Sequence, residues 1–541
     1  MIEALGMEPL RGGWWQDLAT LQYALGEWDA CIHCFQQAAQ LGSLRKTSTD
    51  VLRSPRLNLL SRDRVADVYL QAGRYHEELA ERRRLADTQP DNVPSLLRLA
   101  RSMMQAGFTD DCVRLGFQLL GIHPHPQLHS EYLCSLLHQS SQSGEELRLA
   151  HEGWASTHVI PSERTASSLR SSARGGRIRV GYVCGESNAD PSYFFLLSLL
   201  QNHDRNEFEV FWYDASRGHN PNRLSYRALA EHWRHIGGVS AVAVAEQIGR
   251  DAVDVLVDVS GHYPDHRLDV FALRPARVQM AFPNYPCTTG VSAIDYIFTD
   301  EWVCPQGGES QYTETPLRIP GGYLTYAPPA APAIGPPPYE VAGFVTFGLF
   351  QRPAKYHALF WDCVAQVLLG VAGSRLLIHY GAFELDDPDS AACMRFRSEL
   401  QSRGVEGQRI QFAGRMDPLR HLAAVSSVDI ALDSFPYTGQ TTTCECLWMG
   451  VPVVTLAGQT HVSRVSFSIL GRMGLGELCA DSTDAYVRIA VALGTDGVRL
   501  RDLRNSLRER MAASEVCSFQ SVREIEEQYR FSIKQLRIDR S

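Results

Sequence analysis

The segment 433–445, DSFPYTGQTTTCE, places one glycine and then four polar or hydroxylic residues at the point where a helix can begin. The start of a helix presents backbone N–H groups and a partial positive charge, which together bind phosphate. Gly439 allows a ligand to approach the backbone closely, and Glu445, one turn into the helix, is within reach of a ribose diol. The threonines at 441–443 could instead only cap the helix, but a single cap does not require four such residues. The segment therefore predicts a phosphate-binding helix start.

The flanking residues predict the elements that hold this segment in place. Residues 428–433 have the apolar pattern of a strand, and 434–440 carry the Pro and Gly of a loop. A helix is predicted at 441–449, ended by Gly450, and the next strand at 451–456. This strand–loop–helix–strand order is typical of an α/β lobe and points the start of the helix at a ligand crevice.

Short apolar segments rich in β-branched and aromatic residues recur along most of the chain in two series. Continuous apolar strands that alternate with helices indicate parallel sheets covered on both faces. The first series lies within 177–326, the Pro-rich connector APPAAPAIGPPP covers 327–338, and the second series lies within 339–541. Two doubly wound α/β lobes, with a crevice at the C-terminal ends of their strands, are therefore predicted.

The first 160 residues have the pattern of paired helices. Three segments each combine an amphipathic helix, a turn containing glycine, and a second helix. Gly73 and Gly107 lie 34 residues apart, and Pro90 and Pro124 have the same separation. This period resembles the tetratricopeptide repeat, with an insertion at about 42–56 in the first unit; an irregular helical bundle is the alternative. Such repeats present a groove for a protein or peptide partner. The Ser-, Arg- and Gly-rich stretch 161–176 predicts a linker.

The composition narrows the function and the compartment. A formal net charge of -9 argues against a dedicated nucleic-acid binder. No apolar run approaches the length of a membrane span, and the N-terminal residues lack the order of a secretory signal. The 13 cysteines form no disulfide framework, and Cys31 and Cys34 favour a packed core over zinc, so a cytoplasmic protein is expected. The acids of VDVLVDVSG alternate along a strand, and no metal site is predicted.

Several stretches together resemble one family, that of the O-linked N-acetylglucosamine transferases and the SPINDLY O-fucosyltransferases (glycosyltransferase family 41). They are the segment above, GRIRVGYV, VFALRPARVQMAF, NYPCTTGVSAIDYIFTD, VTFGLFQRPAK and QTHVSRVSFSILGRMGLGELCA. The resemblance covers the repeats, the linker and both lobes. It implies the two-lobed GT-B fold, no metal or other cofactor, and inverting transfer of a sugar to Ser or Thr hydroxyls of proteins. The implied donor is UDP-N-acetylglucosamine, with GDP-fucose as the alternative.

The resemblance also implies roles for individual residues. Lys355 matches the family lysine on the diphosphate and is the first candidate for catalysis, as a point charge on the leaving group. His421 matches the histidine that stacks on the nucleotide base. The remaining donor-site candidates match phosphate, ribose, sugar or crevice positions: Gln440, Thr441, Thr442, Thr443, Glu445, Gln351, Asn284 and His262. Of these, Asn284 stands where relatives usually carry Gly, and His262 is expected to line the crevice.

One departure concerns the residue that accepts the proton. The family loop G-x-H-P supplies a histidine at the reaction centre, whereas this chain carries Asp190 before a proline. A carboxylate can accept a hydroxyl proton, although Asp-Pro is also a turn former. The absence of this loop histidine and the presence of Glu445 both favour a SPINDLY-like donor pocket. Two further hypotheses stay open: a protein that binds peptides without turnover, and an enzyme that transfers the sugar to asparagine or to a glycan.

Overall fold

The computed structural model describes residues 12–43, 55–160, 176–185, 193–217, 223–282, 284–381 and 383–538. The predicted linker, apart from Gly176, and Asp190 lie outside these ranges. The described chain forms two compact units. The first consists of residues up to 123 with 352–354 and 378–417, and the second of 124–351, 355–377 and 418 onward.

The first unit begins with three helical hairpins within the described residues, which confirms the predicted paired helices. Their helices are α1 (Gly12–Leu25), α2 (Trp28–Ser43), α3 (Pro55–Gln71), α4 (Tyr75–Thr88), α5 (Val93–Ala106) and α6 (Thr109–Leu120). Each hairpin turns at a glycine of positive φ, Gly26, Gly73 or Gly107, a conformation that L side chains rarely adopt. At Gly107 an added Cβ would also lie 2.9 Å from the carbonyl oxygen of Pro353. Glycine is therefore required there twice over.

A later part of the chain packs on these hairpins within the first unit. It contains α15 (Ala391–Gln401) and β10 (Ile410–Ala413). The carboxylate of Glu384 accepts from the backbone N–H of His76 at 3.4 Å and lies 3.2 Å from its Nδ1. The hydroxyl of Thr109 donates to the carbonyl of Ala354 at 2.8 Å. The repeats thus bind residues that follow two strands of the second α/β series.

The second unit begins with a helical hairpin, α7 (Pro126–Leu136) and α8 (Gly144–His158). A seven-stranded parallel sheet follows, with order β3-β2-β1-β4-β5-β6-β7. Its strands are β1 (Ile178–Cys184), β2 (Phe208–Asp214), β3 (His232–His235), β4 (Val255–Asp258), β5 (Val278–Ala281), β6 (Tyr296–Thr299) and β7 (Thr315–Arg318). Its helices are α9 (Tyr193–Gln201), α10 (Arg223–Leu229), α11 (Ala241–Asp251) and α12 (Leu268–Ala272). The strand order reverses between β1 and β4, where ligands bind in this architecture.

A second, six-stranded sheet has the order β10-β9-β8-β11-β12-β13. Its other strands are β8 (Thr346–Leu349), β9 (Arg375–His379), β11 (Ile430–Leu432), β12 (Val453–Leu456) and β13 (Cys479–Ala480). The accompanying helices are α13 (Pro338–Ala342), α14 (Ala358–Gly370), α16 (Pro418–Ser426), α17 (Thr441–Trp448), α18 (Val465–Arg472), α19 (Thr483–Gly494), α20 (Gly497–Ala513) and α21 (Gln520–Ile538). The order reverses between β8 and β11, so the segments after these two strands border the ligand crevice.

The two lobes contact each other within the second unit. The hydroxyls of Tyr312 and Tyr323, from the first lobe, lie 2.9 and 3.0 Å from the two ring nitrogens of His461. The last helix, α21, returns to the first lobe, where Glu526 lies 2.9 Å from Nδ1 of His203. Among the described helices, none is both long and apolar enough to cross a membrane.

Candidate functional site

The loop between β11 and α17 has the predicted strand–loop–helix geometry. Gln440 stands at the N-cap of α17, and its side chain makes no capping hydrogen bond. The hydroxyl of Thr443 lies 2.8 Å from that of Ser466, so this threonine joins α17 to α18 and does not cap its own helix. Thr441 is 8% exposed and Thr442 is half-buried. Neither the side chain of Gln440 nor the hydroxyl contact of Thr443 with Ser466 caps the helix. The start of α17 therefore keeps the character of an anion-binding end.

A buried carboxylate shapes this loop. Asp433, at the end of β11, is fully buried and accepts from the backbone N–H of Gly439 at 2.8 Å. It also accepts from the hydroxyl of Thr455 at 2.7 Å and from the amide of Gln351 at 3.2 Å. Burial raises the pKa of Asp433, and hydrogen bonds together with the charge of Lys355 oppose the rise. We assign Asp433 a positioning role, which sequence reasoning missed although it lay at a predicted strand end.

Gln351 lies beneath the loop. Its side chain is 4% exposed, its amide nitrogen donates to Asp433, and its amide oxygen accepts from the backbone N–H of Phe350 at 3.2 Å. These contacts support the carboxylate that holds Gly439. The predicted contact of Gln351 with the donor remains a prediction.

Lys355 follows β8 and reaches the same loop. Its Nζ donates to the carbonyl of Thr438 at 2.8 Å and lies 4.0 Å from the centroid of the Tyr437 ring. The half-buried ammonium and the start of α17 therefore present positive charge to one place. The structure brings together the two parts that the sequence predicted for a diphosphate site, and their role in binding a diphosphate remains a prediction.

His421 and Glu445 meet at the other end of the loop region. His421 on α16 and Glu445, one turn into α17, approach to 3.2 Å between Nε2 and Oε2. The imidazole side chain is 26% exposed and the carboxylate side chain 14%, so both remain accessible beside the helix. The carboxylate thus fixes the orientation of the ring. The predicted base-stacking and ribose roles remain predictions for two residues that the structure brings together.

His262, which was predicted to line the crevice, lies beneath a helical hairpin. His262 is 2% exposed, because the α7–α8 hairpin covers it and the Trp154 ring lies 4.8 Å from its own. Its Nε2 lies 2.9 Å from the carbonyl of Thr289 and therefore carries the proton, while Nδ1 lies 3.1 Å from the hydroxyl of Ser130. Burial holds the pKa of His262 well below its ordinary value. The strand end that suggested a crevice position is covered by a helical hairpin from elsewhere in the chain.

Asn284 and Asp190 complete the set of predicted residues. Asn284 follows β5 and is 7% exposed, and its backbone N–H donates to the carbonyl of Phe282 at 2.7 Å. Asp190 falls between β1 and α9, outside the described residues. Their predicted roles stay predictions.

Buried histidines under the α7–α8 hairpin predict a measurable acid sensitivity. His151 is fully buried, with Nε2 2.8 Å from the hydroxyl of Tyr285, and burial lowers its pKa to about 4. The unfolded chain binds this proton below about pH 6.5 and the folded chain does not, so this histidine costs stability as pH falls from 6.5 towards 4. Its contribution between pH 7 and pH 5 is about 2 kcal/mol.

The measurement compares urea unfolding of wild type and a His151→Gln variant at both pH values. Asp258 acts in the opposite direction, because burial raises its pKa to about 7, so the difference between the two proteins isolates His151. The variant should lose less stability on acidification than wild type. His33→Gln, at an exposed residue of α2, should behave like wild type. Equal acid sensitivity of the His151→Gln variant and wild type would contradict the assignment.

Two doubly wound lobes with a phosphate-type loop at a switch point define the class of GT-B glycosyltransferase folds. Residues 118–325 and 390–524 match the family model "Glycosyl transferase family 41". The chain therefore belongs to glycosyl transferase family 41.

Individual relatives agree with this assignment. The chain is 34% identical over 409 residues to the Petunia hybrida protein named "Probable UDP-N-acetylglucosamine--peptide N-acetylglucosaminyltransferase SPINDLY", covering 74% of this chain and 43% of the relative. The Arabidopsis thaliana protein of the same name is 35% identical over 376 residues, 68% of this chain and 40% of the relative. The chain thus spans well under half the length of these curated relatives.

A solved structure extends the similarity to almost the whole chain. A Thermobaculum terrenum O-GlcNAc transferase mutant superposes with a TM-score of 0.84 at 28% sequence identity. The match covers 97% of this chain and 98% of that chain. It supports the helical region and both lobes as one shared fold.

Proposed function

We propose that this chain is a protein O-glycosyltransferase that transfers a sugar from a nucleoside diphosphate sugar to Ser or Thr hydroxyls. The observation that carries the proposal is the convergence of Lys355 and the start of α17 on the loop at Thr438 and Gly439. Lys355 Nζ lies 2.8 Å from the Thr438 carbonyl, and Gly439 is held by Asp433. A cation and a helix start at a switch point bind a diphosphate.

The chemistry follows from this arrangement. The oxygen of the acceptor hydroxyl attacks the anomeric carbon from the face opposite the diphosphate, which inverts its configuration, and the hydroxyl proton passes to a base, for which Asp190 is the candidate from the sequence. The bond from the anomeric carbon to the phosphate oxygen breaks, and its electron pair leaves with the nucleoside diphosphate. The ammonium group of Lys355 gives up its hydrogen bond to the Thr438 carbonyl and donates instead to the leaving oxygen. It thereby stabilises the negative charge that develops on that oxygen. Because Lys355 and the helix start supply positive charge, we propose transfer without a metal ion.

The donor and the acceptor are part of the same proposal. UDP-N-acetylglucosamine is the first candidate donor, because the SPINDLY and O-GlcNAc transferase relatives carry that sugar in their names. GDP-fucose is the alternative. The acceptor is proposed to be a protein or peptide that the helical repeats help to bind. All thirteen cysteines are free thiols, which supports a reducing compartment such as the cytoplasm.

The test is a donor panel with the purified chain. UDP-N-acetylglucosamine, GDP-fucose and other nucleotide sugars are each incubated with a library of Ser- and Thr-containing peptides. Released nucleoside diphosphate and the mass added to the peptide are measured together. One donor should give stoichiometric release and mass gain. If neither UDP nor GDP binds and no donor is consumed, the chain is a peptide-binding protein and the proposal fails.

A further inference from the structure

A buried histidine of the second lobe is hydrogen-bonded to three side chains of the first lobe. His461 is 1% exposed, and its Nδ1 and Nε2 lie 2.9 Å from the hydroxyl of Tyr312 and 3.0 Å from that of Tyr323. Its backbone N–H donates to the side-chain oxygen of Gln311 at 2.8 Å. Burial lowers the pKa of His461 to about 3, so the neutral ring donates to one tyrosine and accepts from the other. The first lobe therefore fixes the position of this residue.

The residues that follow His461 hold the loop before α17. The carbonyl of Val462 accepts from the backbone N–H of Thr438 at 3.3 Å and from its hydroxyl at 3.0 Å. The hydroxyl of Ser466, in the first turn of α18, donates to the carbonyl of Gly439 at 2.9 Å. The backbone N–H of the same serine donates to the hydroxyl of Thr438 at 3.4 Å. Near neighbours of His461 thus bind both loop residues of the proposed diphosphate site.

The segment between His461 and these neighbours is itself tightly hydrogen-bonded. Residues His461–Ser463 form one turn of 3₁₀ helix, closed in both directions by hydrogen bonds between Thr460 and Ser463. The first lobe also binds α18 directly, because the hydroxyl of Ser468 donates to the buried carboxylate of Asp300 at 2.6 Å. A shift of the first lobe at His461 therefore passes to the loop instead of being absorbed within the segment.

The direction of the loop peptides follows from these contacts. Asp433 holds the N–H of Gly439, and Ser466 holds the carbonyl of the same residue. In a planar trans peptide the C=O and the N–H that follows it point in opposite directions. The N–H of Gln440, at the N-cap of α17, therefore points away from α18. A phosphate bound at this helix start would meet an N–H group whose direction Ser466 sets.

We infer that His461 is a positioning residue of the proposed diphosphate site, which it controls from the contact between the lobes through Val462 and Ser466. The inference rests on the proposed function. The side chain of His461 bonds to the first lobe, and its chain neighbours bond to the loop, so its effect on the donor is indirect. The affinity for a nucleoside diphosphate should therefore depend on two hydrogen bonds between the lobes.

The experiment measures binding of UDP and of GDP by the full chain and its variants, together with the donor KM and the kcat of transfer. His461→Phe keeps an aromatic ring and removes both side-chain hydrogen bonds. The dissociation constant and the donor KM should rise about tenfold, the effect of losing about one hydrogen bond. The kcat at saturating donor should fall less, because Lys355 and the helix start remain. His461→Gln keeps a donor and an acceptor, so it should recover part of the affinity.

Milder variants carry the test if His461→Phe does not fold. Tyr312→Phe and Tyr323→Phe each remove one hydroxyl that His461 contacts, and each should weaken nucleotide binding by a smaller factor. Tyr529→Phe is the matched control, because its buried hydroxyl lies 3.1 Å from that of Tyr182 and joins α21 to β1 of the first lobe. This control should lose similar stability in urea and keep the affinity of wild type.

A double-mutant cycle tests the route from His461 to the loop. Ser466→Ala should weaken nucleotide binding by itself. Because the two residues act along one route, the variant that carries both Ser466→Ala and His461→Phe should bind better than the product of the two single effects predicts. Two effects that simply multiply would show independent action and contradict the route.

Two further results would overturn the inference. One is unchanged nucleotide affinity in folded His461→Phe and in both tyrosine variants. The other is an equal loss of affinity in Tyr529→Phe, which would show a general effect of the stability of the lobe contact. Failure of the proposed function is distinct, because wild type would then bind neither UDP nor GDP and transfer no sugar, and the inference would fall with it.

Discussion

Replacement of Lys355 by methionine is expected to lower the kcat of sugar transfer by about 10²- to 10³-fold, the usual cost of removing one preorganised charge-stabilising group. Lys355 Nζ lies at the loop before α17, where it contacts the Thr438 carbonyl and the Tyr437 ring. Methionine has a similar length and no charge, so the fold should persist while the leaving group loses its cation. Rates of nucleotide release under saturating donor measure the effect.

The composition of the chain strengthens this expectation. Of 52 basic residues only three are lysines, at positions 46, 355 and 534. The chain uses arginine almost everywhere and carries a lysine at the proposed diphosphate site, where a compact ammonium group acts differently from a planar guanidinium group. Lys355→Arg should therefore recover only part of the activity. Lys534→Met, at an exposed residue of α21, is the matched control and should leave the rate unchanged.

Two results would contradict the role of Lys355. One is a Lys355→Met variant with near-normal kcat, which would show that the helix start alone neutralises the leaving group. The other is loss of the secondary structure or of thermal stability in that variant, which would assign the residue to folding. Circular dichroism melts of the three lysine variants separate these cases.

Replacement of Asp433 by alanine is expected to destabilise the second unit by about 3 kcal/mol and to abolish nucleotide binding. The carboxylate is fully buried, and its removal leaves the N–H of Gly439, the amide of Gln351 and the hydroxyl of Thr455 without their acceptor. Each unpaired buried donor costs about 1–3 kcal/mol. The loop that precedes α17 should lose its conformation first.

Urea unfolding followed by tryptophan fluorescence measures the stability, and titration with UDP or GDP measures binding. Asp433→Asn should fall between wild type and Asp433→Ala, because an amide keeps the volume and one acceptor oxygen. Asp502→Asn, at an exposed position of α20, is the control and should match wild type. If Asp433→Ala bound nucleotide normally, the carboxylate would have no part in positioning the loop.

The helical pairs and the strand–loop–helix element that ends in α17 were predictable because their signals are local. Glycines in the turns indicate a backbone of positive φ. The order of strand, glycine-containing loop and helix can be recognised within a single stretch of sequence. Structure confirmed α17 at Thr441–Trp448, within one residue of the predicted end. The family resemblance added Lys355, which the structure places at the loop.

Contacts between distant parts of the chain were not predictable from residue patterns. His262 follows a strand end that should face the crevice, yet a helical hairpin more than 100 residues earlier covers it. Asp433 stood in the recognised segment without a role, because its partners Gln351 and Thr455 come from other strands.

The amino-acid sequence by itself therefore determined the paired helices, the two α/β series and the position at which α17 begins. These features depend on periodicity and turn chemistry within short stretches. The tertiary structure alone decided which side chains meet at the site, among them Lys355 and Tyr437. Such meetings depend on how the lobes and the hairpin close on one another, and no local pattern encodes the distance between residues hundreds of positions apart.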